Sequence, residues 1–278
     1  MKKWQEILYL HPKIKRNLLK RVYYFTEVWY IMSEVIMEYS YFLFLLLLVP
    51  CMIFSAVASA KVSSTYSKYD KIPCLSRMTG YDTATALLRN RGVSDISVGI
   101  VKGTLTDHYD PTKSIVNLSQ STFGSASVGA CAVAGHEIGH VMQKKQGYFP
   151  YKLRKILVPI TNIGSRLAMP VIIVGIFLDL FLFATKDQPY GQWILYVGIA
   201  LYGLSTLFAL VTLPVEFNAS RRAKNMLVED GVLSSEEVKG AKKVLNAAAM
   251  TYVASLLTSL VYFIRIFIML FLLFGRKK

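Results

Sequence analysis

The chain has 278 residues, of which 54% are hydrophobic, and its formal net charge is +15. A mean hydropathy of +0.41 is too high for an ordinary soluble enzyme and indicates a membrane protein. Lysine and arginine collect beside membrane spans, and no aromatic–basic RNA motif is present, so the charge predicts no nucleic-acid partner. The three cysteines indicate no disulfide framework.

The N-terminal part of the chain divides into an extension and a first membrane span. Residues 1–40 begin with a basic run and then mix aromatic residues with glutamates. We expect this extension to be dispensable, and Met37 is an alternative start. Residues 41–60 carry no charge, which predicts a first transmembrane helix.

Residues 61–155 form the first polar region, which we interpret as the catalytic region. A short helix is predicted within residues 79–92. Residues 96–101 and 114–118 alternate like strands on either side of a turn, so we expect a small β hairpin or sheet. The segment 114–118 is predicted to be an edge strand that an extended peptide can pair with.

A helix predicted over residues 126–145 carries His136-Glu137-Ile138-Gly139-His140, an HExxH motif. Residues four apart on a helix lie about 40° apart around its axis, so both imidazoles project from one face and can bind one metal ion. Glu137 lies beside this pair, where it can take a proton from zinc-activated water without being a ligand. An ordinary core helix would give two histidines and a glutamate no packing role. We therefore predict Zn²⁺ ligands at His136 and His140 and a general base at Glu137.

Further apolar segments complete the membrane part. Residues 156–184 are predicted to be an amphipathic lead-in and the second transmembrane helix, 193–213 the third and 251–274 the fourth. Residues 214–250 should hold a separate polar helix, starting after a proline, and the one that follows it. We expect a mainly α multi-pass membrane protein, with about four transmembrane helices and a zincin-like metalloprotease domain that contains the small β hairpin or sheet.

Two charges lie deep in the predicted spans. Asp179 belongs to the second span and Arg265 to the fourth. Isolated charges inside a membrane are costly, so we expect the two side chains to pair. The alternative is that the long Arg265 side chain reaches the far membrane surface.

The residues alone leave two interpretations of the third metal ligand open. A catalytic zinc site usually has three protein ligands and one open position. Glu216 is a candidate, because two spans separate it from the motif and return the chain to the same side. Ser220 lies one turn later, where its hydroxyl can orient a histidine ligand. The alternative is that Glu216 is a solvated acid at a helix start, favoured by the dipole.

A donor for the oxyanion of a tetrahedral intermediate is also expected. His108 and Tyr109 are candidates, and the alternative is a turn whose aspartates bond their own backbone. Arg221 and Arg222 are alternative electrophiles, although basic residues beside a span often serve as interfacial anchors.

Together these residues resemble the YugP-type family of neutral membrane zinc metallopeptidases over residues 39–274. The resemblance rests on five segments: Lys68-Tyr69, Leu105-Thr-Asp-His-Tyr-Asp-Pro111, His136-Glu-Ile-Gly-His140, Pro214-Val-Glu-Phe-Asn-Ala-Ser220 and Lys243-Val-Leu-Asn-Ala-Ala-Ala249. It implies a zinc-dependent hydrolase held in the membrane, with His136, His140 and Glu216 on the metal and Glu137 as the base. The chain departs from the family pattern at its front, since members usually begin close to the first span.

The sequence therefore predicts a membrane-embedded zinc metalloendopeptidase that acts on polypeptides in or near the lipid bilayer. A zinc-binding scaffold without turnover would need no base, so Glu137 disfavours it. A transporter with a structural metal would be expected to place several ionisable residues inside its spans. We expect an integral, multi-pass cell membrane protein. The basic residues near its spans favour a cytoplasmic catalytic side if the N-terminal extension is absent, and leave the orientation nearly undecided if it is present.

Overall fold

The computed structural model describes residues 12–178 and 190–275, and it is mainly helical with one small sheet. The elements are α1 Pro12–Asp70, α2 Gly80–Asn90, β1 Ser97–Val101, β2 His108–Asp110, β3 Ile115–Ser119, α3 Gln120–Phe123, α4 Val128–Lys145, α5 Phe149–Phe177, α6 Tyr190–Glu229 and α7 Glu237–Gly275.

Four helices in the described ranges are long and apolar enough to cross a membrane. They are Tyr41–Asp70 of α1, Phe149–Phe177 of α5, Trp193–Glu229 of α6 and Glu237–Met269 of α7. Between 11% and 28% of the residues in their apolar windows are buried, so most of these side chains face outward, as lipid-facing side chains do. The expected multi-pass, mainly α architecture with four candidate spans is confirmed.

The α6 helix does not stop at Pro214. It continues without a break from Tyr190 to Glu229, with this proline in its interior. The expectation that Pro214 separates the third span from a second helix is wrong. Proline removes one backbone hydrogen bond and bends a helix, but long membrane helices tolerate it. Glu216 therefore lies inside a long helix, so it is not an acid favoured by the dipole at a helix start.

The sheet has the strand order β1-β3-β2. Strands β1 and β3 are parallel, with Ser97 opposite Ile115, and β2 is antiparallel to β3, with His108 opposite Asn117. The expectation that residues 114–118 form an edge strand is wrong, because β3 is central. The second edge is β2, which lies within the segment predicted to be a turn. Alternation locates strands but does not give their order, and three residues are too few to show a period.

Small residues let neighbouring helices approach α4, which carries the HExxH motif. Ser127 caps the start of this helix, its hydroxyl accepting from the Ala130 N–H at 3.0 Å. A Cβ atom on Gly139 would lie 2.6 Å from the carbonyl oxygen of Ala219 in α6. This close approach brings the motif against the part of α6 that carries Glu216.

Arg265 lies against aromatic rings of α1. Its guanidinium carbon is 4.2 Å from the centroid of the Phe44 ring and 5.0 Å from that of Tyr41. Such contacts stabilise a cation in an apolar setting. Asp179 lies outside the described residues, as do residues 1–11 of the extension, so the expected Asp179–Arg265 pair stays a prediction.

Candidate metal centre and active site

Three side chains from two helices converge on one point. Glu216 Oε2 of α6 lies 3.2 Å from His136 Nε2 and 3.6 Å from His140 Nε2 of α4. One ligand atom from each residue lies within 4.8 Å of the other two, a spacing that allows all three to bind one ion. The structure thus brings together the three residues predicted as metal ligands.

The other ring nitrogen of each histidine has a protein partner. His136 Nδ1 lies 3.2 Å from the Ser220 hydroxyl, and His140 Nδ1 lies 3.0 Å from Gln143 Oε1. A partner on Nδ1 orients the ring and leaves Nε2 free to bind a metal. The sequence identified the place of Ser220 but not that of Gln143, although its position three residues after His140 was a usable signal.

Gln143 also connects the two helices that carry the ligands. It is fully buried, with 0% of its surface exposed. Its side-chain amide donates to the carbonyl of Val215 at 2.7 Å and to Asn218 Oδ1 at 3.0 Å. One side chain therefore orients His140 and fixes α6 immediately before and after Glu216.

Arg154, near the start of α5, bonds the second oxygen of the Glu216 carboxylate. Its Nη1 donates to Oε1 at 2.8 Å, and only 2% of the Glu216 side chain is exposed. A buried carboxylate needs such partners to offset the loss of its hydration. No sequence pattern distinguishes Arg154 from the other basic residues at the start of this span.

Glu137 is buried beside the three converging side chains and is not one of them. Burial raises the pKa of this carboxyl to about 7, although the nearby His136 favours the charged form and opposes the shift. The negative charges of Glu216 and Asp107 act in the same direction as burial. A carboxyl with a pKa near neutrality can both accept and release a proton at physiological pH.

A cavity of about 500 Å³ contains this group of side chains. Its walls include β2, the first turns of α5 and Tyr252 of α7. Tyr252 and Glu216 line this cavity together. Tyr252 was not among the residues predicted from the sequence, since a tyrosine in an apolar helix carries no distinguishing pattern.

His108 lines the same cavity, but both of its ring nitrogens are engaged. Nδ1 lies 2.9 Å from the carbonyl of Thr106, so it must carry the proton. Nε2 lies 3.1 Å from Asn117 Nδ2 and accepts from that amide. In this arrangement His108 has no N–H left to donate to a substrate.

The other candidate electrophiles are placed differently. The hydroxyl of Tyr109 is buried and has no hydrogen-bond partner among the described residues, and its ring lies under Lys144 Nζ, 5.6 Å from the centroid. Arg222 donates from Nε to Asn218 Oδ1 at 2.7 Å. Within the described ranges, neither Arg221 nor Arg222 lines the cavity of the site.

Comparison with known proteins gives the family. The family described as "Putative neutral zinc metallopeptidase" matches residues 44–271. The chain is similar to the "Putative membrane protease YugP" of Bacillus subtilis (strain 168), with 40% identity over 230 residues, or 83% of this chain and 97% of the relative. No solved structure matches it. Since the match covers most of the chain, the protein belongs to this family of neutral zinc metallopeptidases.

Proposed function

We propose that this protein is a membrane-embedded zinc metalloendopeptidase, with Glu137 as its general base and His136, His140 and Glu216 as its zinc ligands. The proposal rests on one observation: His136 Nε2, His140 Nε2 and Glu216 Oε2 converge inside a cavity, beside the buried carboxyl of Glu137. Two nitrogens and one oxygen form a donor set found in catalytic zinc sites, which keep a fourth position open.

The chain's own groups then divide the work of amide hydrolysis. The chemistry that a bound zinc ion supplies is Lewis-acid activation of water and of the scissile carbonyl. Glu137 takes the proton of the attacking water and delivers it to the leaving amine. Ser220 and Gln143 hold the two imidazoles in orientation, and Arg154 holds the glutamate.

Tyr252 is the proposed oxyanion donor. The O–H of Tyr252 can rotate toward the oxygen of a bound substrate, whereas the ring N–H of His108 is fixed on a backbone carbonyl. Tyr252 also lines the cavity that contains Glu137. A donor aimed at the developing negative charge lowers the barrier to acyl transfer.

Substrates of this site are proposed to be membrane proteins or membrane-attached peptides. The cavity is lined from three helices that are long and apolar enough to cross a membrane. These helices contribute Tyr151 and Arg154 from α5, Glu216 from α6 and Tyr252 from α7. The free edge of β2, next to Glu137, offers an extended peptide a strand to pair with. Without the basic N-terminal extension, the basic residues near the spans favour a cytoplasmic site.

The test is metal analysis of the purified protein together with cleavage of an unfolded protein such as casein in detergent. We expect one zinc per chain and zinc-dependent cleavage. The Glu137→Gln variant should keep the zinc and lose at least about 100-fold in rate. Full zinc occupancy without turnover would favour the scaffold alternative, and cleavage that persists in Glu137→Gln would reject the assigned base.

A further inference from the structure

A second cavity lies next to the proposed active site, between α1 and α7. Its volume is about 380 Å³. Val62 comes from α1, Val133 from α4, and Val244, Leu245 and Ala248 from α7. These side chains give the cavity an apolar wall.

The two cavities share residues at the catalytic group. His136, Glu137, Asp107 and Tyr252 line both of them. The first cavity has charged residues on its wall, including Arg154. A substrate bound in the first cavity can therefore extend into the second, and it enters the second cavity beside the proposed general base, Glu137.

Three of the polar groups on the wall of the second cavity are already bonded to the protein. The Tyr66 hydroxyl donates to the carbonyl of Ser121 at 3.1 Å, and the Thr251 hydroxyl donates to that of Ala248 at 2.7 Å. The Asp107 carboxylate accepts from the N–H of Ser119 at 2.8 Å and from its hydroxyl at 2.9 Å. The wall therefore offers a ligand mainly apolar contact.

We propose that this cavity is a specificity subsite, which binds a large apolar side chain of the residue next to the scissile bond. The proposal rests on the proposed peptidase function and adds the substrate's sequence preference. A leucine or phenylalanine side chain fits a space of this size and leaves the hydrogen bonds of Tyr66, Thr251 and Asp107 intact. Against the valine and leucine part of the wall, a charged or strongly polar side chain would lose its hydration without gaining a partner.

The helix α7 supplies a substitution that fills the subsite and a matched control. Ala248 lines the cavity and is partly buried, so Ala248→Phe occupies the space itself. Ser255 lies two turns further along α7 and is exposed, so Ser255→Phe adds the same side chain outside the cavity. Val62→Phe narrows the cavity from α1, which guards against a folding defect specific to Ala248→Phe.

The measurement is kcat/KM for peptides that differ only in the residues flanking the scissile bond, with Ala, Leu or Phe on each side. At one of these positions the wild type should prefer Leu or Phe over Ala by about tenfold or more. Ala248→Phe and Val62→Phe should abolish that preference and still cleave the alanine peptide, whereas Ser255→Phe should retain it. A wild type without an apolar preference, or a preference that survives in both wall variants, overturns the subsite and leaves the proposed function standing.

A binding experiment separates the subsite from the chemistry. A peptide with a photoreactive leucine at the preferred position is cross-linked to the Glu137→Gln variant, which cannot turn it over. Label should appear in residues 59–66 or 244–252. Label confined to residues 149–159, on the wall of the first cavity, overturns the proposal. If the wild type cleaves no peptide or protein, the proposed function itself fails and the subsite falls with it.

Discussion

Arg154 donates a hydrogen bond at 2.8 Å to the Glu216 carboxylate oxygen that does not face the histidines. The carboxylate is thereby held at both ends, with Oε2 3.2 Å from His136 Nε2 and Oε1 on the guanidinium. The arginine belongs to α5, whereas the proposed ligands belong to α4 and α6. A third helix therefore fixes the orientation of the proposed metal centre.

Replacing Arg154 by alanine should weaken zinc binding by about 10- to 100-fold, the usual effect of removing a partner of a metal ligand. The reason is that Glu216 would keep a buried oxygen without a donor and would rotate. Zinc affinity is measured by competition with a chelator. Lys152→Ala is the matched control, because Lys152 is an exposed basic residue in the same part of α5. Equal affinity of Arg154→Ala and wild type would reject this positioning role.

Removing the Tyr252 hydroxyl should slow catalysis without removing the metal. We expect Tyr252→Phe to lower kcat by about 100- to 1000-fold, as loss of an oxyanion donor does, with zinc content unchanged. The control is Tyr262→Phe on the same helix, where the ring packs 5.4 Å from that of Phe44, away from the cavity. A variant that loses zinc together with activity would instead assign Tyr252 to the support of Glu216.

Gly139 should not tolerate a side chain. Its Cβ would lie 2.6 Å from the backbone oxygen of Ala219, so Gly139→Ala must separate α4 from α6. We expect a loss of about 1–3 kcal/mol in stability, as in other overpacked cores, and weaker zinc binding. Gly135→Ala is the control, since the atoms nearest to its Cβ belong to the Leu227 side chain, at 3.1 Å, and not to the backbone. Thermal unfolding in detergent compares the two, and equal melting temperatures would contradict the argument.

The sequence predicted those parts of the site that depend on local spacing. The HExxH helix was predicted because four residues make about one turn, which brings His136 and His140 onto one face. Ser220 was predicted by the same rule, one turn after Glu216. Arg154 and Tyr252 could not be predicted, because their places depend on how α5 and α7 pack against α6. Such packing leaves no periodic signal in the chain.

The errors in the fold have a similar origin. The local rule that proline ends a helix predicts a break at Pro214, but α6 continues through this residue as part of a long helix. Strand β2 was missed because three residues, His108 to Asp110, form a strand only by pairing with β3. For β2, tertiary contacts outweigh the preference of the local segment.

The position of Glu216 along α6 predicts how substrates reach the site. Because α6 is helical on both sides of Pro214, Glu216 lies only about 5 Å along the axis beyond Leu213, where the third predicted span ends, at 1.5 Å per residue. The site should therefore lie at the membrane–water interface. Segments beside transmembrane helices are already concentrated there, whereas soluble folded proteins would have difficulty presenting a peptide bond.

We therefore expect a peptide tethered to a transmembrane anchor in liposomes to be cleaved faster than the same peptide free in solution. Both are compared at matched bulk concentration with the wild-type protein in the same liposomes. The Glu137→Gln variant serves as the control for contaminating proteases. Tethering raises the effective concentration of a substrate only if the linker lets it reach the site. Cleavage should consequently fall when a rigid spacer holds the scissile bond away from the bilayer surface. Equal rates for free and tethered peptide would show that the membrane does not select the substrate.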